Sequence, residues 1–175
     1  MNLVGGAPAW LIAILILALV AAAVEDVIRL RISNLSCAAV LLSAILAMAL
    51  QGFSLSLWEN LLVCCGILFI GTFAFNAGWL GGGDVKLLAA VGLWLDLRAA
   101  VGLIGAVFIA GGLVAVAYLM ARRFRRSGGQ PNIRSGKVPY GIAIVVGALF
   151  ILGVQLNQRP ANPFIEKMRA KTAQH

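Results

Sequence analysis

Five stretches of the chain carry no charged side chain: 1–24, 32–58, 60–83, 99–121 and 138–158. Each is long enough for a helix across a hydrocarbon core of about 30 Å, which takes about 20 residues. A core without water cannot satisfy a bare backbone, so runs of this kind form helices. The pattern predicts helices over 8–24, 34–50, 60–75, 99–120 and 139–156. A sixth apolar run starts at Asp84 and ends near Leu95. With its flanks it spans about 22 Å at helical rise, so it crosses only if one end dips into the bilayer. The expected fold is therefore all-α: a polytopic membrane protein with about six transmembrane helices and no sizeable soluble domain. Residues 1–158 form the membrane domain and 159–175 a polar tail.

Composition supports this. Hydrophobic residues make up 62% of the 175, and Lys, Arg, Asp and Glu together only 11%, far from soluble-domain usage. No Lys or Arg precedes Arg29, so the first run lacks the basic start of a signal peptide and reads as a retained helix. Cys37, Cys64 and Cys65 lie inside apolar runs and form no CxxC pair. Neither a zinc site nor a disulfide framework is implied, and no metal or other cofactor is expected.

The net charge of +8 raises nucleic acid as a partner, but topology accounts for it better, because basic residues crowd cytoplasmic loops. With an outside N-terminus, the segments 27–33, 76–86 and 122–137 face inward. They hold Arg29, Arg31, Lys86, Arg122, Arg123, Arg125, Arg126, Arg134 and Lys137. The other side holds Arg98, Arg159, Lys167, Arg169 and Lys171. The basic segment 122–137 reads as a topology determinant that could also hold anionic lipid. This alternation sets Asp26 and Asp84 on one side, at the ends of different helices.

Asp84 follows Gly81-Gly82-Gly83 and opens an apolar run. Taken alone, that is a loop with Asp84 as a helix N-cap. Asp26 alone could be an interfacial residue paired with Arg29 one turn on. Together in a membrane they suggest chemistry, since intramembrane charge is costly and marks function. Two carboxyls held close share a proton, one acting as base towards water and the other as acid towards a carbonyl oxygen. Glu25 points about 100° from Asp26 on a helix and reads as a solvated interface residue. Asp84 is expected at a helix N-terminus and Asp26 at a C-terminus, which favours Asp84 as the ionised member.

These residues carry a resemblance. Gly81-Gly82-Gly83-Asp84-Val85-Lys86-Leu87-Leu88-Ala89-Ala90-Val91-Gly92 resembles the GxGD-x-K-x-x-A-A-x-G block of the type IV prepilin peptidases, GxGD-type membrane aspartyl proteases. Glu25 to Asn34 resembles the family's first block, an Asp followed by basic residues and Ile-Pro-Asn, with Ser33 in place of the proline. That departure is expected to loosen the turn into the second helix. Val138-Pro139-Tyr140-Gly141 is similar to a third, weaker block.

The resemblance implies a catalytic pair, Asp26 and Asp84, with Gly81, Gly82, Gly83 and Lys86 as substrate-binding candidates. It implies a prepilin substrate cut at the cytoplasmic face of the bacterial inner membrane, with membrane lipid and pilus assembly machinery as partners. Many members also N-methylate the new terminus through a cytoplasmic insert between the first two spans. This chain has only Val27 to Ser33 there, so it is similar to the short, peptidase-only, TadV/CpaA-like form that serves tight-adherence (Flp) pili. The competing readings are a small proton-coupled transporter and a non-catalytic pilus assembly factor.

Overall fold

The computed structural model describes residues 3–52, 57–126 and 140–158. Among them seven helices form: α1 (Leu3–Gly6), α2 (Ala9–Arg29), α3 (Asn34–Gln51), α4 (Leu57–Asn76), α5 (Gly82–Gly92), α6 (Leu97–Arg126) and α7 (Tyr140–Asn157). Five are long and apolar enough to cross a membrane: α2, α3, α4, α6 over Leu97–Ala117, and α7. The sixth predicted span, α5, has 11 residues, about 16 Å at helical rise.

The shortness of α5 is built in at both ends. Its last turn runs into a buried connection, Leu93-Trp94-Leu95. The Trp94 indole N–H donates to the Val40 carbonyl at 3.3 Å, and Asn60 Nδ2 of α4 donates to the Leu93 carbonyl at 3.1 Å. Asp96 then accepts the Ala99 N–H at 2.9 Å and starts α6. The turn is thereby held within the first turn of α4 rather than beyond it.

Helix α5 is also the centre of the bundle. It packs against α3, α4 and α7, while α2 packs against α3 and α7, and α6 against α7 and α4. Asp84, Val85, Leu87, Ala89, Ala90, Val91 and Gly92 are all buried, so nearly every face is covered. A helix apolar all round belongs in such a position. The outer helices instead turn large apolar side chains outward, among them Leu17, Phe69, Ile70 and Phe108. That surface suits acyl chains, which do not penalise exposed apolar area.

Several boundaries differ from the pattern's expectation. α2 runs on to Arg29, so Asp26 lies inside its last two turns and continues the buried stripe Leu11, Leu15, Leu19, Ala22. α6 continues through Arg126, so Arg122, Arg123, Arg125 and Arg126 lie on helical backbone rather than in a loop. The remainder of the basic segment, Pro139 and the polar tail lie outside the described residues. The short α1 was not expected. Its buried Leu3 and Val4 pack beside α3 and α7, and Gln51 Nε2 donates to the Leu3 carbonyl at 2.9 Å.

Candidate active site

Among the described residues, the buried charged side chains are Asp26 and Asp84, 5% and 9% exposed. The two share one end of the bundle. The α2–α3 connection, which follows Asp26, touches the first turn of α5, where Asp84 sits. A side chain on Gly83 would meet Ile32 at 3.1 Å, at both its Cβ and its carbonyl oxygen. The Gly83 carbonyl accepts from Cys37 Sγ of α3 at 3.7 Å.

Asp84 is the third residue of α5, and Gly81 is the N-cap. The carboxylate reaches back, and its Oδ2 accepts the Gly81 N–H at 3.0 Å. The expectation of Asp84 as the cap itself is thus off by three residues; the carboxylate still serves an orphan donor of the helix start. Asp26 stands near enough for its charge to act on Asp84.

Asp26 is held by a helix start too, which its position near the end of α2 does not suggest. Its Oδ2 accepts the Gly141 N–H at 2.8 Å, from the first turn of α7 and 115 residues away. A Cβ on Gly141 would stand 2.7–2.9 Å from Oδ2, Cγ and Cβ of Asp26. Only glycine lets the carboxylate come this close to the α7 backbone. Asp26 stands in the last turn of α2, as expected, and also faces the N-terminus of α7, which offsets the expected field difference between the two acids. The expected pairing of Asp26 with Arg29 also gives way, because Arg29 is exposed and Asp26 is satisfied from α7.

Glu25 is not a solvated residue. It is half-buried and takes the Ser33 N–H at 2.9 Å, the Ser33 hydroxyl at 3.1 Å and the Ser36 hydroxyl at 2.9 Å. Ser33 in turn caps α3 by accepting the Ser36 N–H at 3.2 Å. The serine at the proline position thus ties the turn down through groups proline lacks. Between Arg29 and Ile32 the chain turns through Leu30 at φ 52°, a left-handed conformation that a leucine adopts only at a cost.

The substrate-binding candidates divide. Gly81 and Lys86 are exposed, and Lys86 Nζ donates to Asn34 Oδ1 at 3.0 Å across to α3. Gly82 lies half-buried with Phe75 at 3.4 Å from a notional Cβ, and Gly83 packs on Ile32. Among the described residues, no group of three or more His, Cys, Asp or Glu side chains is gathered.

Sequence reasoning missed Gly141 as a site residue. Its one signal was the similarity of Val138 to Gly141 to a family block, which does not say what the glycine touches. A family model described as the type IV leader peptidase family matches residues 13–118, a stretch that includes Asp26, Asp84 and helices α3 to α5. The chain matches no curated protein and no solved structure.

Proposed function

Because the chain belongs to the type IV leader peptidase family, we propose that it is a membrane aspartic endopeptidase with Asp26 and Asp84 as its catalytic pair. The observation that carries this is the placement of the two buried acids. They share one end of the bundle, and each accepts backbone N–H at a helix start, Asp84 from Gly81 and Asp26 from Gly141 and Ile142. A carboxylate has about four acceptor sites, so these bonds leave acceptor capacity on each for water and substrate.

The reaction needs one shared proton. The ionised member takes a proton from water as the water oxygen attacks the scissile carbonyl carbon. The protonated member gives its proton to the carbonyl oxygen, and a neutral gem-diol forms. Collapse returns one gem-diol hydroxyl proton to the ionised carboxylate as the C=O bond re-forms, the C–N bond breaks, and the leaving nitrogen takes the proton of the other carboxyl, so the pair is again singly protonated. Both helix starts stabilise negative charge, so either carboxyl can be the base, and the proton belongs to the pair.

The substrate we propose is a prepilin of the tight-adherence (Flp) type, cut at the cytoplasmic face of the inner membrane. Gly81 and Lys86 would meet the extended leader, since both are exposed beside Asp84. Absence of N-methylation is supported by the α2–α3 connection. It consists of Leu30 to Ser33, which cannot contain the insert that methylating members carry. The test uses purified full-length protein in detergent with a purified Flp prepilin. Cleavage is expected in the presence of EDTA and without S-adenosylmethionine, and it should vanish in Asp26→Asn and Asp84→Asn. Dependence on a metal, or mass-spectrometric detection of a methylated mature pilin, would contradict the proposal.

A further inference from the structure

We infer that Glu25 is a positioning residue for the catalytic pair: it fastens the α2–α3 turn and so fixes where the first turn of α5 stands relative to Asp26. The inference rests on the assignment of Asp26 and Asp84 as the pair. Glu25 is next to Asp26 on α2, yet its carboxylate looks forward along the chain. Three donors converge on it: the Ser33 N–H, the Ser33 hydroxyl and the Ser36 hydroxyl. They belong to the cap and first turn of α3.

The fastened segment runs from α2, which carries Asp26, to contact the first turn of α5, which carries Asp84. Ile32 precedes Ser33 and packs directly on Gly83, the residue before Asp84. Cys37 and Asn34, one on each side of Ser36, hold the Gly83 carbonyl and Lys86. These three contacts fall within two residues of Asp84. On the other side the segment leaves α2 four residues after Asp26, through Leu30 in its left-handed turn. A costly turn persists only when its surroundings hold it. The Glu25 hydrogen bonds supply that hold. Without them Ile32 can withdraw, and α5 loses its reference to α2.

Ser33 offers a way to separate this role from general stability. Its φ is −72°, within the range a proline ring imposes. Ser33→Pro therefore restrains the same backbone covalently and removes the N–H that Glu25 would otherwise have to satisfy. Glu25 should matter with serine at this position and matter little with proline.

The experiment is a double-mutant cycle on the full-length protein in detergent, with the purified Flp prepilin. Glu25→Ala, Ser33→Pro, the double variant and Asp84→Asn are compared for kcat, KM and melting temperature. Misplacement of reacting groups by about 1 Å costs about 100-fold in rate, so Glu25→Ala is expected to lower kcat by about 10- to 100-fold. KM should stay within about 3-fold, as expected where an interaction made only in the transition state is lost. Ser33→Pro is expected to keep kcat within about 3-fold and to bring the double variant to its own level, the non-additivity of coupled residues.

Glu25→Ala at wild-type kcat, a loss carried by KM, or no rescue by proline overturns the inference. If Glu25→Ala does not accumulate, the cycle is run with Glu25→Leu. That variant keeps the bulk and removes both acceptor oxygens, and a wild-type kcat there overturns the inference equally. Asp84→Asn reports on the pair itself. If it cleaves at the wild-type rate, the catalytic assignment falls; if it is inactive while Glu25→Ala is unaffected, only the role of Glu25 falls.

Discussion

At the residue scale, the two aspartates were legible because charge is rare in this chain. An acid that interrupts an apolar run has few bland explanations. Asp26→Asn and Asp84→Asn are each expected to lower leader cleavage by at least about 1,000-fold, since acid and base roles both need a carboxyl. Membrane abundance should not change. The check is prepilin processing on a gel, and near-normal processing by either variant would remove that residue from the pair. Titration of the pair gives a second prediction. The reaction needs one carboxyl protonated and the other ionised, so kcat/KM against pH should be bell-shaped, with limbs that describe the pair as a whole rather than either residue. A profile that rises or falls through a single limb alone would contradict it.

At the scale of elements, the sequence yielded helix positions more readily than helix ends. Five long runs became five long helices, because a charge-free run in lipid has no alternative to a helix. The short α5 was legible as short, but not as central, since its neighbours α3, α4 and α7 are set by tertiary packing. Two readings failed for one reason, which is long-range hydrogen bonding. Glu25 seemed solvated because local helix geometry says nothing of Ser33 and Ser36 folding back on it. Asp26 seemed to face only the unfavourable end of the α2 dipole because the α7 start that also meets it is 115 residues away in sequence. The α7 start makes its own prediction. Gly141→Ala would place a methyl group 2.7–2.9 Å from Asp26 atoms, so the carboxylate must move. Cleavage is expected to fall by about 10-fold or more, a misplacement effect of the kind that fixed geometry is sensitive to. Gly153→Ala is the control on the same helix, since nothing lies within 4 Å of its notional Cβ. It should cleave normally and melt no lower, as alanine favours helix over glycine by about 1 kcal/mol. Equal loss in both variants would point to α7 stability rather than to contact with Asp26.

At the scale of the whole molecule, the site depends on the direction in which each helix runs. Asp26 near the end of α2, Asp84 at the start of α5 and Gly141 at the start of α7 meet only if α5 and α6 run opposite ways across the bundle. Helix α5 is too short to cross alone, yet its connection to α6 reaches the first turn of α4. Helix α6 then has 30 residues, about 45 Å, in which to return. The long partner thus makes up for the short one, and Asp96 and Arg98 at the start of α6 stand on the face opposite Arg29, Arg31 and Lys86. A chain in which α5 only dipped in and out on one side would put Arg98 beside Arg31. Cysteine labelling distinguishes the two arrangements. With Cys37, Cys64 and Cys65 replaced by alanine, Arg98→Cys should react with a membrane-impermeant maleimide in cells whose outer membrane alone is opened. Arg31→Cys should react only after the inner membrane is opened as well. Both positions are exposed, so failure to label would not come from burial within the bundle. The same protection pattern at the two positions would place them on one face. The six-crossing arrangement would then have to be abandoned, and with it the proposed orientation in which both acids face the cytoplasm.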